Sequence, residues 1–195
     1  MKSFTLSIVI PAYNEERTIV SLLQAVLDAP LDNCIGKELI VVNDGSKDKT
    51  VELVRSFMAE NEEANIQLFE QDKNRGKGAA LHRGILVATG EYLIIQDADL
   101  EYDPREYNLL LQAVVEGKAD VVYGSRFMGG KPHRILFFWH SLGNRFLTML
   151  SNMFTNLNLT DMETCYKLFN TEMVQSLKLR EKRFGFEPEV TAKIS

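Results

Sequence analysis

Short apolar runs alternate along the first 125 residues with stretches whose apolar residues recur at helical spacing. One such stretch contains Ile19, Leu22, Leu23 and Val26. This alternation is typical of parallel strands joined by crossover helices, so the sequence predicts an α/β fold. We expect a Rossmann-like, mostly parallel sheet with helices on both faces. The predicted strands are Leu6–Ile10, Leu39–Val42, Ile66–Phe69, Tyr92–Gln96 and Asp120–Tyr123, and further helices begin near Lys77 and at Pro104.

The composition is that of an ordinary globular domain, with 195 residues of which 45% are hydrophobic and 25% charged. A net charge of −5 argues against a nucleic-acid-binding domain, which would normally be basic. The two cysteines, Cys34 and Cys165, and the lack of a signal-peptide pattern predict a cytoplasmic chain with free thiols. No stretch reaches the about 18 consecutive apolar residues of a membrane-spanning helix.

Polar residues follow each predicted strand, where the ligand crevice of an open α/β sheet lies. The most informative of these segments is Asp97-Ala98-Asp99, because a buried strand delivers two carboxylates to its carboxyl end. Hard oxygen ligands suit Mg²⁺ or Mn²⁺, which complete their coordination with water and substrate phosphates. Asp-x-Asp triplets are also common in solvated turns, so this motif is weak evidence by itself.

Several motifs in this order resemble the family-2 inverting glycosyltransferases, and most closely the polyprenyl-phosphate mannose and glucose synthases. The resemblance implies an A-type glycosyltransferase fold in one catalytic domain over residues 1–195. Residues 1–126 would bind the nucleotide sugar and residues 127–195 would form the acceptor side. The motifs that carry the resemblance are residues 8–15, 42–46, 74–78, 97–99, 124–126, 161–166 and 186–189.

For the donor, the resemblance implies that Pro11, Tyr13 and Glu15 line a nucleoside pocket and that Asp44 hydrogen-bonds the base. A carboxylate can accept a ring N–H of uracil or guanine, and a ring face can pack on the base. Two structural alternatives remain open. Asn14 would cap a helix whose first turn contains Glu15, and Asp44 would be a turn residue.

Phosphate and metal contacts are also implied. In the resemblance Asp97 lies near the ribose and the metal, Asp99 ligates the metal, and Glu101 is a further metal-side ligand. Arg126 would clamp diphosphate oxygens, since a guanidinium can bind them bidentately. The loop before Lys77 lacks Walker spacing. We expect its glycines to let backbone approach the nucleotide sugar, with Lys77 contacting phosphate, or else simply to start the next helix.

The acceptor decides whether a base is needed. A sugar hydroxyl must lose a proton, whereas a lipid phosphate already has an anionic oxygen at pH 7. The resemblance gives Asp161 and Glu187 acceptor-side or catalytic roles, without separating a base from a residue that positions Lys167 or the acceptor. Glu189 is expected to be a first-turn helix acid.

An amphipathic helical pattern covers residues 135–157, with Trp139, Phe146 and Met153 in its apolar stripe and Asn144 and Thr148 opposite. Basic residues precede it, namely Lys131, His133 and Arg134. This pattern fits an element lying at the cytoplasmic face of a membrane. It fits equally well a helix that covers the sheet.

The leading hypothesis is a transferase that uses Mg²⁺ or Mn²⁺ to move a hexose from a UDP- or GDP-sugar to a polyprenyl phosphate. A soluble family-2 transferase that extends a glycan is the nearest alternative. A sugar nucleotidyltransferase would carry a Gly-rich basic loop after its first strand, which residues 11–15 do not form. A non-catalytic nucleotide-sugar-binding protein is the least favoured alternative.

Overall fold

A computed structural model describes residues 4–32, 35–127 and 138–195. All five predicted strands are present, and their bounds agree with the prediction within a few residues. The predicted helix at Pro104 begins as one short 3₁₀ turn, which Asp103 caps by accepting the Arg105 N–H. In chain order the elements are β1 (Thr5–Ala12), α1 (Ile19–Asp28), β2 (Gly36–Asn43), α2 (Thr50–Glu60), β3 (Ile66–Glu70), α3 (Lys77–Val87), β4 (Tyr92–Ile95), the 3₁₀ turn (Pro104–Glu106), α4 (Tyr107–Val115), β5 (Val121–Tyr123), α5 (Phe138–Thr155), β6 (Lys167–Asn170), α6 (Thr171–Ser176) and α7 (Phe186–Ile194).

The six strands form one sheet in the order β3-β2-β1-β4-β6-β5. Strand β1 is paired in parallel with β2 and β4, and β2 is paired in parallel with β3. Strand β6 is antiparallel to both β4 and β5, so it runs opposite to the other five strands of this sheet. The sequence did not predict β6, because four residues that begin with a lysine carry too little pattern to identify a strand.

Both faces of the sheet are covered, as predicted. Alternate β1 residues such as Ile8 and Ile10 pack with α1, α2 and α4, while Val9 on the other face packs with α3, α6 and α7. Each face therefore has its own apolar core. These two cores hold the strands rigidly and fix the carboxyl ends of β1, β2 and β4 beside one another.

Helix α5 is amphipathic, as predicted, but its polar side contacts the rest of the protein. Asn144 and Asn152 hydrogen-bond to residues of the 159–161 segment, and the Thr148 hydroxyl accepts the Met162 N–H. Its large apolar side chains face outward, so the alternative of a helix whose apolar stripe covers the sheet is wrong. Those exposed side chains are Trp139, Leu142, Phe146, Leu147, Met149, Met153 and Phe154.

The lengths of the helices bear on whether the chain crosses a membrane. Among the described residues, every helix falls short of the length and hydrophobicity that crossing a bilayer requires. Cys165 is a free thiol, as predicted. The other cysteine, Cys34, and the basic residues Lys131, His133 and Arg134 lie outside the described residues.

A glycine fixes the distance between α3 and the sheet. A Cβ at Gly84 would lie 2.3 Å from Val9 Cγ1, whereas a Cβ at Gly143 in α5 would meet no atom within 4 Å. We therefore expect Gly84→Ala to lower the free energy of unfolding by about 1–3 kcal/mol through overpacking. Gly143→Ala should raise it by about 0.5–1 kcal/mol, because alanine favours the helix. Urea unfolding followed by circular dichroism measures both, and equal effects of the two substitutions would contradict this account of the α3–sheet contact.

Candidate active site

A cleft with a cavity of about 370 Å³ opens at the carboxyl ends of β1, β2 and β4. It is the place where an open α/β sheet is expected to bind ligands. Seven of the residues predicted from the sequence line it, and they come from four separate segments of the chain. They are Pro11, Tyr13, Glu15, Asp44, Lys77, Asp97 and Asp99.

The loop after β1 is tied to the loop after β2. The Asn14 N–H donates to Ser46 Oγ at 2.9 Å, and the Glu15 N–H donates to Thr50 Oγ1 at 2.8 Å. Asn14 has a left-handed φ of 58°, and α1 begins five residues later at Ile19, with Thr18 as its N-cap. Asn14 therefore does not cap α1, and that alternative is wrong. The turn instead leaves Tyr13 41% exposed on the wall of the cleft.

Asp44 is buried at the end of β2 and holds the next loop in place. Its two carboxylate oxygens accept the N–H groups of Arg75 and Gly76, each at 2.8 Å. Hydrogen bonds from backbone amides to a carboxylate are charge-assisted and therefore strong. Asp44 thus positions the loop that leads into α3. A hydrogen bond that Asp44 accepts from a nucleotide base stays a prediction.

The glycines before and inside α3 allow another part of the chain to pack against them. Gly76 has a φ of 99° and precedes α3, and a Cβ there would lie 2.5 Å from the Lys182 carbonyl oxygen. A Cβ at Gly78 would lie 2.5 Å from the Glu181 carbonyl oxygen. The helix predicted to begin near Lys77 is confirmed, whereas an approach of this backbone to a nucleotide sugar stays a prediction. The backbone that they admit in this structure is residues 181–183 of the same chain.

Lys77, the first residue of α3, is surrounded by acidic groups. Its ammonium lies 2.8 and 2.9 Å from the two oxygens of Asp97, 2.8 Å from Cys165 Sγ and 3.8 Å from Glu187 Oε1. Burial by itself would lower the pKa of Lys77, but Asp97, Cys165 and Glu187 outweigh it and raise that pKa. Burial and the Asp97 charge raise the pKa of the Cys165 thiol to about 12. At neutral pH the cluster therefore holds an ammonium and a protonated thiol.

The two aspartates of the Asp-x-Asp motif both line the cleft, and Glu101 does not. Asp99 is exposed, and its Oδ1 accepts the Glu101 N–H at 3.0 Å across a turn in which Leu100 has a φ of 60°. Within residues 4–32, 35–127 and 138–195, no three or more His, Cys, Asp or Glu side chains are placed to hold a metal ion together. Asp97 and Asp99 nevertheless supply the hard oxygen donors that Mg²⁺ and Mn²⁺ use beside water and phosphate.

Arg126 and Asp161 bind each other. The guanidinium donates to both oxygens of Asp161 at 2.8 and 2.9 Å, and Asn144 of α5 donates to the same carboxylate at 2.8 Å. Burial by itself would raise the pKa of Asp161, but the hydrogen bonds from Arg126 and Asn144 lower it. The structure thus brings together two residues predicted from separate motifs. Their predicted roles toward diphosphate and acceptor are not tested by this contact.

Lys167 of β6 is fully buried near Glu187 and Cys165, which also surround Lys77. Its ammonium donates to the Thr164 carbonyl oxygen and lies 4.9 Å from the centre of the Tyr123 ring. Burial lowers the pKa of Lys167 to about 8, against the attraction of Glu187. Asp161 is bonded to Arg126 and Asn144 in this structure, not to Lys167. Glu189 accepts the N–H groups of Arg180 and Glu181 and orders the segment before α7.

A sequence profile described as Glycosyl transferase family 2 matches residues 7–178. The chain belongs to this family. This match confirms the family that the motifs resembled. The matched range contains nearly every residue that lines the cleft.

Relatives of this chain carry names of polyprenyl-phosphate enzymes. A dolichyl-phosphate beta-glucosyltransferase from Dictyostelium discoideum is 34% identical over 129 aligned positions, gaps included, and the match covers 62% of this chain and 39% of that protein. One from Trichomonas vaginalis is 32% identical over 203 aligned positions, and the match covers 96% of this chain and 60% of that protein. A dodecaprenyl-phosphate galacturonate synthase from Rhizobium johnstonii is 27% identical, with coverages of 96% and 54%. The chain thus spans between about two fifths and three fifths of these relatives.

A solved structure with the same fold is glucosyl-3-phosphoglycerate synthase from Mycobacterium tuberculosis, in complex with Mn²⁺, UDP and phosphoglyceric acid. The TM-score is 0.72 at 22% identity, and the match covers 95% of this chain and 62% of that chain. At this identity the likeness concerns the fold. It confirms the predicted A-type glycosyltransferase fold.

Three residues that line the cleft lie outside every motif identified in the sequence, namely Ala80, Arg183 and Phe184. Phe184 is 83% exposed at the edge of the cleft. Arg183 and Phe184 reach it because residues 181–183 pack against Gly76 and Gly78. Their proximity to Phe186-Glu187-Pro188-Glu189, a motif of the resemblance, is the signal that could have identified them.

The Arg126–Asp161 pair should contribute stability that depends on pH. We expect Asp161→Asn to lower the free energy of unfolding by about 2–3 kcal/mol at pH 7, because it leaves the Arg126 charge without its partner. The folded-state pKa of Asp161 is below its unfolded value of about 3.9. The contribution is therefore complete above that value and is lost as the pH falls through the folded-state pKa. Urea unfolding from pH 7 to pH 3 should show the two proteins converging in acid.

The matched control is Asp72→Asn, since the Asp72 side chain is 95% exposed. It should change the free energy of unfolding by no more than about 0.5 kcal/mol at any pH. A constant difference between wild type and Asp161→Asn down to pH 3 would contradict the ionised pair.

Proposed function

We propose that this chain is the catalytic domain of an inverting glycosyltransferase that moves a hexose from a UDP- or GDP-sugar to a polyprenyl phosphate, with Mg²⁺ or Mn²⁺ as cofactor. The observation that carries the proposal is the cleft itself. Five of its lining residues suit a nucleotide sugar and a cation. They are the rings of Pro11 and Tyr13, the buried carboxylate of Asp44, and the two carboxylates of the Asp-x-Asp motif, Asp97 and Asp99. The names of the relatives support the acceptor class.

The donor would lie across the carboxyl ends of β1 and β4. Pro11 and the exposed ring of Tyr13 offer apolar surface for a base, and Asp44 offers a buried acceptor. Asp97 and Asp99 would hold the divalent cation, which when bound offsets the negative charge that the leaving nucleoside diphosphate develops. Arg126 would add a guanidinium to the same diphosphate if it exchanged one oxygen of Asp161 for a phosphate oxygen.

Asp161 and Glu187 are the two candidate bases, and their surroundings bear on the nature of the acceptor. The Asp161 carboxylate accepts hydrogen bonds from Arg126 and Asn144, and its pKa is lowered, so it holds a proton poorly. Glu187 lies 3.8 Å from the Lys77 ammonium. A general base works best when its pKa is near the operating pH. A phosphate acceptor is already anionic, so its reaction needs no general base. This supports a polyprenyl phosphate over a glycan hydroxyl.

Turnover tests the proposal directly. Radiolabelled UDP-glucose and GDP-mannose are supplied separately with Mn²⁺ and a polyprenyl phosphate in detergent, and the label is followed into the lipid phase. We expect one donor to label the lipid and Asp99→Ala to reduce the rate at least about 100-fold, since it removes a carboxylate that would hold the cation at the diphosphate. The control Asp72→Ala, an exposed carboxylate in the loop after β3, should leave the rate unchanged. Label that enters a glycan acceptor and no lipid would overturn the acceptor assignment.

We further propose that the outward face of α5 lies on the cytoplasmic surface of a membrane, where a polyprenyl phosphate would be met. Phe146, Met153 and Phe154 are 55%, 71% and 87% exposed on this face. An amphipathic helix with aromatic residues on its apolar face is suited to the boundary between headgroups and acyl chains. The basic residues at 131–134 precede it in sequence and suit an anionic surface.

Vesicle sedimentation tests this contact. The double variant Phe146→Asp, Phe154→Asp should lose at least about ten-fold in affinity for vesicles that contain anionic lipid, because two apolar side chains leave the interface. The control Leu86→Asp, Leu109→Asp alters two side chains that are 67% and 65% exposed on α3 and α4. It should bind as the wild type does. Equal losses in both double variants would show that charge alone matters and would contradict the role of α5.

A further inference from the structure

We propose that the Lys77 ammonium is a displaceable counter-ion of Asp97, which neutralises this carboxylate until a cation and a nucleotide enter the cleft together. The inference rests on the proposed function, in which Asp97 and Asp99 hold the divalent cation. It assigns Lys77 a positioning role that couples cation binding to nucleotide binding.

The contact between the two side chains is bidentate. Lys77 Nζ lies 2.8 Å from Asp97 Oδ1 and 2.9 Å from Oδ2, and the side chains are only 23% and 16% exposed. Charges shielded from water in this way interact more strongly than surface pairs do. A divalent cation bound to either oxygen of Asp97 would face the ammonium at close range. Lys77 must therefore move when Asp97 becomes a metal ligand.

A second carboxylate is placed to receive the ammonium. Glu187, in the first turn of α7, is buried, and its Oε1 lies 3.8 Å from Lys77 Nζ. Cys165 Sγ lies 2.8 Å from Nζ and would stay a neighbour during a short displacement. A rotation of the flexible lysine side chain is enough. The backbone of Lys77 is fixed because Gly76 donates to Asp44 and Gly78 packs against residues 181–183.

Charge balance then predicts cooperative binding. A cation that arrives alone finds Asp97 neutralised and meets the repulsion of Lys77. A nucleoside diphosphate brings negative charge that attracts both the cation and the ammonium. Each ligand should therefore raise the affinity of the other by the same factor, as linkage requires.

Titration with Mn²⁺ tests the inference without any turnover. Free Mn²⁺ is followed by its electron paramagnetic resonance signal, with and without UDP or GDP, in the wild type, Lys77→Met and Lys77→Gln. We expect wild type to bind Mn²⁺ weakly alone and much more tightly with one nucleotide. Both variants should bind Mn²⁺ alone at least about ten-fold more tightly than wild type, because a nearby unit charge has been removed. Their coupling factor with the nucleotide should fall accordingly.

The matched control is Lys73→Met, which removes the same charge from an exposed position in the loop after β3. It should bind Mn²⁺ as the wild type does. Thermal unfolding checks that each variant is folded, and the glutamine variant retains a polar side chain at position 77. A lysine that merely contacted phosphate would weaken nucleotide binding in both variants and leave their affinity for Mn²⁺ alone unchanged.

The failures of the two proposals are distinguishable. If the wild type binds Mn²⁺ with a nucleotide and Asp99→Ala does not, the metal site stands. Unchanged Mn²⁺ affinity in both Lys77 variants would then overturn this inference alone. If no protein binds Mn²⁺ with either UDP or GDP, the proposed metal-dependent function falls, and the inference falls with it.

Discussion

Strand β1 is hydrogen-bonded on both edges to parallel neighbours, and the rest of the structure depends on this arrangement. Parallel pairing with β2 and β4 places three carboxyl ends at one edge of the sheet. The cores on the two faces prevent the strands from sliding, because a shift by one residue would move each side chain to the opposite face and out of the core in which it packs. Pro11, Asp44 and Asp97 thus come from distant parts of the chain yet line one cleft. Under the proposed function this convergence is required, because one donor would contact all three residues.

The cleft is completed by the second half of the chain. Residues 181–183 pack against Gly76 and Gly78, and this contact brings Arg183 and Phe184 to the cleft and the first turn of α7 to Lys77. Strand β6 serves a similar purpose, because it inserts between β4 and β5 and presents Lys167 beside the same acidic cluster. Both halves of the chain therefore contribute strands to one sheet. A substitution in either half would therefore alter the surroundings of Lys77 and Lys167, which lie where the two halves meet.

The charged groups of this site form ion pairs. Arg126 is bound to Asp161, and Lys77 is bound to Asp97, so each predicted phosphate-binding cation already has a carboxylate partner. Such pairs keep charged groups stable away from water. They also make the cations exchangeable, since a phosphate can replace a carboxylate as the hydrogen-bond acceptor. Under the proposed function, ligand binding would be an exchange of partners within this cluster.

Apolar periodicity and polar strand ends are local signals, and they were sufficient to predict the α/β class, the five parallel strands and half of the residues that line the cleft. The sequence did not reveal β6, which is too short to show a pattern, nor Arg183 and Phe184, which reach the cleft only through packing. Tertiary structure also decided that the polar face of α5 is the packed one, and that Gly76 admits protein backbone. These outcomes depend on contacts between residues far apart in the chain, and no local pattern specifies such contacts.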